Sequence, residues 1–588
     1  MTNGIMKDDD IKKVDDIHLS SNDKKLFVEI NSFLRENNLL RTLNPCAVAS
    51  YEQLSFMVVM DRDQVYVPCS DEIFFALMHP EYTPLIEAEY RRVWRRAMRF
   101  LCSLPLDKEK RKLVYSYCRK RMERIVLFHD VIPSRLLKRI TTFILLSATD
   151  MQDPWRQRKS AVIEQHVKLA LTERFTALLN EMPALENVGD MMGMRHALDN
   201  AEFDRLLCLS AYATKWHGVL PDDCTVRKAF AAAEKTMAAI REKDNFLQID
   251  RHATVMILCE SVENLIYDLL MVRFFIKRGF KVIYAVKELF FYDAPTMEDI
   301  LHDPILSKYL PSFYVCRDKN LSKNALLQQL REWRMVVVDD GTRESLNLVR
   351  ASVTFARAWK EADLILAHGK DAMQILHGTS HEFTRDILVW NLDEGKGCLD
   401  VQFKRHSQKV RKFSETDLQN YANEIINEMR DAQKAGRPVI FYSCIIGSIP
   451  GQTDTALRLA KAIVGDMRKN LPTAYIINPA THFVEGMDAD DLMYMWEAVQ
   501  RSGYINIWYF QTAEDIEKGF RLLGEPTPEC WIGKDASYST GCTKEMTIAM
   551  DVQKHNREMQ ILGPDPATFF RRGEYGVGKY FDASLKKE

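Results

Sequence analysis

No stretch of this sequence is apolar enough to cross a bilayer. Its most hydrophobic run, around Phe143 to Ala148, is far shorter than the roughly 20 residues that a membrane helix needs. The twelve cysteines are scattered singly, with no Cys-x-x-Cys pair and no close Cys/His cluster, so neither a structural zinc site of the usual spacing nor a disulfide framework is expected. A reducing, cytoplasmic setting fits that usage best. Net charge is lacking too: 80 basic side chains stand against 82 acidic ones, and no overall field draws the chain to nucleic acid or to an anionic membrane. Neither is expected as a partner. There is no repeat with a period of roughly 20 to 50 residues, and no low-complexity tract. Residues 1–25 lack the apolar core of a signal peptide or anchor, and are expected to form a flexible tail.

What is present is the composition of a folded chain, 46% hydrophobic and 28% charged over 588 residues, which is too long for one core. Residues 26–80 suggest a small α+β module with a hairpin, Phe56 to Met60 and Gln64 to Pro68 joined through Asp61-Arg62-Asp63. Residues 81–250 are mainly helical. Within them Arg91, Arg92, Arg95, Arg96 and Arg99 share turns with Val93, Trp94, Met98 and Phe100, which reads as a solvated face opposite a buried one, or else as an anion or partner surface.

From 251 to 410 short Val/Ile/Leu-rich runs alternate with helical patterns, the signature of a parallel sheet. The expected strands are Thr254 to Cys259, Lys281 to Lys287, Met335 to Val338, Asp363 to Ala367 and Ile387 to Trp390. Residues 411–588 repeat the alternation on a smaller scale, with strands at Val439 to Cys444, Ala474 to Ile477 and Ile505 to Tyr509. The fold class expected is α/β: a Rossmann-like three-layer α/β/α parallel sheet with a helical N-terminal subdomain, followed by a second, smaller Rossmann-like domain.

Open parallel sheets bind ligands beyond the carboxyl ends of their strands. Glu260-Ser261, with Glu263 and Asn264, follows the first strand; Tyr292-Asp293 follows the second; Asp363 and His368 flank the fourth; Lys404 comes after the fifth. Carboxylates converging there can hold a hard divalent cation, and a lysine can take a phosphate oxygen. The plainer reading makes the same acids helix caps and dipole partners, and makes His368 a capping group at a strand end.

The runs Leu258-Cys-Glu-Ser-Val-Glu-Asn-Leu-Ile-Tyr-Asp-Leu-Leu270, Val282-Ile-Tyr-Ala-Val-Lys287 and Tyr292-Asp-Ala-Pro-Thr-Met-Glu-Asp299 resemble the damage-control phosphatases, also called the acidic-residue-methyltransferase-like family. Asp153-Pro-Trp-Arg-Gln-Arg-Lys159 and Glu361-Ala-Asp-Leu-Ile-Leu-Ala-His-Gly369 are similar to two further segments of that family, in the same order. The resemblance implies hydrolysis of phosphate esters of small metabolites, such as sugar phosphates, assisted by manganese, cobalt, nickel or magnesium. It places Glu260, Ser261 and Asp293 at the metal, with Glu260 and Asp293 catalytic, and Asp363, His368 and Lys404 at the substrate. Glu260 stands where the family has aspartate, Ser261 where it has asparagine, Glu263 where it has glycine, Asn264 where it has glutamate, His368 where it has lysine, Ala372 where it has asparagine and Val401 where it has arginine. The alternative is a catalytically degenerate member acting as a binding or regulatory module, with protein partners at its terminal domains. No glycine-rich first-strand turn supports an adenosyl-methionine site.

In the last domain Gly447-Ser-Ile-Pro-Gly-Gln-Thr-Asp454 links a strand to a helix without the lysine of a Walker A loop; it is a tight turn capped by Thr453 or Asp454, or an anion site. Lys534-Asp-Ala-Ser-Tyr-Ser-Thr-Gly-Cys-Thr-Lys544 holds Cys542, which is either packed and inert or an activated thiol. The glycines between Gly573 and Gly578 form a turn cluster.

Overall fold

The structure, a computed structural model, describes residues 13–19, 24–39, 51–61, 63–183, 190–244, 253–309, 312–393, 395, 397–449, 451–482, 484 and 486–570. Most of the expected tail and the Gly573–Gly578 cluster lie outside them. The chain divides into two compact units, Met1–Lys409 and Val410–Glu588. Among the described residues no helix is long and apolar enough to cross a membrane.

The first unit is built on a sheet whose described strands are β1 (Thr254–Leu258), β2 (Lys281–Val286), β3 (Tyr314–Cys316), β4 (Met335–Asp339), β5 (Leu364–His368), β6 (Asp386–Asp393) and β7 (Cys398–Lys404). Their order is β3-β4-β2-β1-β5-β6-β7, parallel except for the antiparallel β6–β7 pair. Side chains alternate across a strand. Val255 and Ile257 enter a core beneath the helices Met191–Trp216, Asp223–Asp244 and Val262–Lys277, while Met256 enters the opposite core beneath Val353–Glu361. This is a three-layer α/β/α domain. Because β2 lies on one side of β1 and β5 on the other, the order reverses at β1, and the crevice between the carboxyl ends of β1 and β5 is the topological switch point.

The helices Pro84–Ser103, Lys108–Phe128 and Pro133–Ala148 pack around a core that also takes in Phe290, Phe291 and Tyr292 from the loop after β2. Burial of such aromatic side chains stabilises by about 1.5–3 kcal/mol each, so this loop is held by the helical subdomain rather than left to solvent.

Residues 26–80 are not a module with its own core. Ile30, Phe33 and Ile73 share the core of the helical subdomain, and so do Val14 and Ile17 of the expected tail. The expected hairpin does not form either: Val58–Val59 pairs antiparallel with Glu382–Phe383, while His18 bridges Gln64. A local turn signal lost to pairings with partners distant in sequence.

Lys159 of the Asp153–Lys159 segment is fully buried and forms ion pairs with Asp153 and Asp299, so this lysine ties helix Arg156–Ala170 to the loop after β2. On the same helix, His166 is buried with Nδ1 3.2 Å from the Tyr267 hydroxyl. Burial, and then the charge of His217, push its pKa from 6.5 to about 4. The unfolded chain therefore takes up this proton as pH falls through 6.5 while the folded chain resists until about 4, so acid destabilises the fold across that window. His166→Asn is expected to reduce the loss of unfolding free energy between pH 7 and 4 by about 3 kcal/mol, measured by urea denaturation at a series of pH values.

In the second unit four parallel strands, β8 (Val439–Ser443), β9 (Tyr475–Ile477), β10 (Ile507–Phe510) and β11 (Gln560–Leu562), lie in the order β9-β8-β10-β11. Helices cover both faces: Glu415–Lys434, Ala489–Gln500 and Thr540–His555 on one, Thr453–Asn470 and Ala513–Leu523 on the other. This is the smaller Rossmann-like domain.

Candidate functional site at the carboxyl edge

At the switch point β1 delivers Glu260 and β5 delivers His368. Glu260 Oε2 lies 3.6 Å from His368 Nδ1, and His368 Nε2 lies 3.5 Å from Asp268 Oδ2. Asp268 is fully buried, and its Oδ2 accepts a hydrogen bond from the Tyr284 hydroxyl (3.3 Å). Burial alone would lower the His368 pKa, but Asp268 and then Glu260 outweigh it and raise it. Burial raises the Glu260 carboxyl, opposed by His368, although 39% of its side chain still faces the open cleft.

Gly369 makes this approach possible. Its φ is +98°, and a Cβ there would fall 1.3 Å from Glu260 Oε2. Gly369→Ala is expected to displace Glu260 from His368 and to destabilise the first unit by about 1–3 kcal/mol, read as a lowered urea midpoint.

Asp293 follows Tyr292, whose φ of +54° is unusual for a non-glycine residue. Tyr292 is completely buried, its hydroxyl 2.6 Å from Thr141 Oγ1, so the helical subdomain holds this conformation. The Asp293 carbonyl accepts a hydrogen bond from Val262 N–H (2.7 Å), which docks the loop onto the first turn of the helix after β1. Asp293 Oδ1 lies 3.4 Å from Arg158 Nη2. Ser261 caps that helix, its Oγ accepting from Glu263 N–H (3.3 Å). Glu263 lies 3.8 Å from His217; burial raises its pKa, and the neighbouring Asp293 adds to the rise.

Glu260, Ser261, Glu263, Asp293 and His368 thus border one cavity of about 250 Å³. Asp363 and Lys404 do not. Asp363 precedes β5, and its Oδ2 accepts from Thr254 N–H (2.8 Å) at the amino end of β1; it lies five residue steps of strand from His368, about 16 Å. Lys404 ends the antiparallel β7 beside Ile387, again at the amino end, and donates to the carbonyls of Leu376 (3.2 Å) and Thr379 (2.7 Å). Burial pushes its pKa down to about 8. Strand direction places both residues on the wrong edge for the substrate roles expected of them.

The metal ligand set implied by the resemblance does not assemble. A hard divalent cation needs several oxygen ligands at about 2.0–2.6 Å from one point. Here Ser261 serves as a cap, Asp293 faces Arg158 and Glu260 faces His368. Among the described residues no group of three His, Cys, Asp or Glu side chains is arranged to hold a metal ion. These side chains do not fit the group.

Arg96 takes a prominent place that sequence reasoning did not single out. Arg92 and Arg96 lie one turn apart and are half-buried, whereas Arg91, Arg95 and Arg99 are exposed; of the two, Arg96 borders the cleft. Arg92 pairs with Glu89 (2.7 Å) and Asp371 (3.3 Å). The Arg96 guanidinium lies over the Tyr292 ring, 4.4 Å from its centroid, and over Phe291 at 5.4 Å. It has no hydrogen-bond or ion-pair partner among the described residues. Only the docking of the helix distinguishes it from its neighbours.

In the second unit Cys542 is buried, and its thiol donates to the Cys444 carbonyl (3.3 Å). Burial, with Glu545 adding to it, raises its pKa well above the usual thiol value, the behaviour of a packed thiol. The turn before Thr453–Asn470 has Gln452, not Thr453 or Asp454, at the N-cap position, with no side-chain cap.

Fold and site together define an α/β protein with a polar cleft at the switch point of a parallel sheet. No protein-family model matches the chain, and no curated protein matches it. Among solved structures it is similar to a DUF89 family protein from Pyrococcus horikoshii, at 17% identity with a TM-score of 0.35, over 53% of this chain and 96% of that one.

Proposed function

We propose that the chain is a phosphatase-like protein that holds the phosphate group of a small phosphorylated metabolite in the cleft between β1 and β5, by charge and hydrogen bonding rather than by metal-assisted hydrolysis. One observation carries the reading: the unpaired guanidinium of Arg96. The acids lining the cavity each have a basic neighbour, Glu260 with His368, Glu263 with His217 and Asp293 with Arg158, and Lys370 pairs with Glu89. Arg96 makes no ion pair within 4 Å among the described residues, although its charge still acts on Glu260 and Asp371. A planar guanidinium matches two oxygens of a phosphate in a bidentate fork, and the amino end of helix Val262–Lys277 adds a favourable dipole at the same cavity.

The second reading is hydrolysis assisted by manganese, cobalt, nickel or magnesium, favoured by the presence of Glu260, Ser261, Glu263 and Asp293 around one cavity. Phosphate release from sugar phosphates and an aryl phosphate separates the two, using metal-stripped protein with each metal added back, beside Asp293→Asn. The expected result is no metal-dependent release. Turnover that requires metal and disappears in Asp293→Asn would establish the second reading instead.

A further inference from the structure

Arg96, Glu260 and His368 also border a second cavity of about 70 Å³, on the side of β2 and β4. Its walls are Leu258, Ala285, Val286, Phe291, Phe355 and Ala367. Arg96, Glu260 and His368 are shared with the first cavity; the other polar side chains that reach it are already satisfied by neighbours. Lys287 pairs with Asp340, whose carboxylate also accepts from Thr342 N–H and Oγ1 (both 2.9 Å). Ser345 Oγ donates to Asp371 Oδ2 (2.8 Å), and Arg92 holds the other oxygen of Asp371. Beyond those three residues, a hydroxyl entering this space would leave water without finding a free side-chain partner, whereas an apolar group would lose nothing. The space holds several water-sized groups, since one needs roughly 10–15 Å³.

From this chamber we infer that the organic part of the ligand is apolar: the cleft takes the phosphate monoester of a short alkyl chain or a single ring, not of a polyhydroxylated sugar. The phosphate meets Arg96, which both cavities share, and the ester carbon points over the ends of β1 and β2. This inference rests on the phosphate reading above and specifies its substrate class. Ala372 also lines the chamber, so a larger side chain there fills the space from a half-buried position.

The test is equilibrium binding of inorganic phosphate, glucose 6-phosphate and phenyl phosphate to the full chain. Phenyl phosphate is expected to bind at least tenfold more tightly than either of the others, and Ala372→Phe is expected to bring its ratio to inorganic phosphate close to one. Thermal unfolding of the variant is followed alongside, and the milder Ala372→Leu is expected to reduce the ratio part of the way. Glucose 6-phosphate equal to or tighter than phenyl phosphate overturns the apolar assignment and leaves the phosphate reading standing. If none of the three binds, both fall together.

Discussion

With Arg96 replaced by glutamine, phosphate binding is expected to weaken roughly 10- to 150-fold, the range spanned by the loss of about 1.5–3 kcal/mol of charged hydrogen bonding. Arg96→Lys keeps the charge but not the planar fork, and an intermediate loss is expected. The control lies on the same helix. Arg95 is exposed, and among the described residues its Nε donates only to the Arg91 carbonyl (3.4 Å), so Arg95→Gln removes an equal charge with little expected change. Arg96 also covers the Tyr292 ring, and an unfolding curve for each variant separates lost stacking from lost binding. Equal effects of Arg95→Gln and Arg96→Gln would mean that only the general field of the helix matters, and that the cleft makes no specific contact.

The largest effect on stability is expected at Lys159. Replacing it with methionine keeps much of the volume but leaves Asp299, 5% exposed, and Asp153, 17% exposed, without their shared cation. Breaking a buried ion pair from one side costs about 3–5 kcal/mol, because the surviving charge stays buried. Asp299 also accepts from Thr296 N–H (2.8 Å) and Oγ1 (2.9 Å) in a capping box, so it cannot turn outward without uncapping helix Met297–His302. Lys159→Met is therefore expected to lower the urea midpoint of the first unit sharply, and Lys159→Met with Asp299→Asn to recover part of the loss. A fall of less than about 1 kcal/mol would place the triad among ion pairs of the surface kind.

The five strands expected in the first unit were legible because each is a run of Val, Ile, Leu or Ala buried on both faces, a pattern set by the parallel sheet itself. β3, β7 and β11 were not: β3 and β11 have three residues each, too few for a period to register, and β7 is an antiparallel edge strand that alternates apolar and polar residues instead of running apolar throughout. Glu260, Ser261, Asp293 and His368 could be placed at one cleft from sequence because each sits just beyond or at the end of a strand. Asp363 and Lys404 could not be placed, because spacing along the chain carries no strand direction: Asp363 precedes β5, and Lys404 closes a strand that runs back toward the amino edge. Arg96 was visible only as one of five arginines on a helix, and which of them faces the cleft is fixed by how that helix packs on Phe291 and Tyr292. The pairing of Val58–Val59 with Glu382–Phe383 joins segments too far apart in sequence for any local signal. Asp268 was equally hidden, a buried acid in the middle of an otherwise apolar helix face, whose partner His368 comes from another strand.

The central claim is that the cleft holds phosphate by Arg96 without a metal ion. Calorimetric titration of inorganic phosphate into metal-stripped protein, in chelator and again with excess manganese or magnesium, tests it most directly. The account predicts one saturable site whose affinity is the same in both titrations and is lost in Arg96→Gln. Binding that appears only when the metal is added, and survives Arg96→Gln, would contradict it.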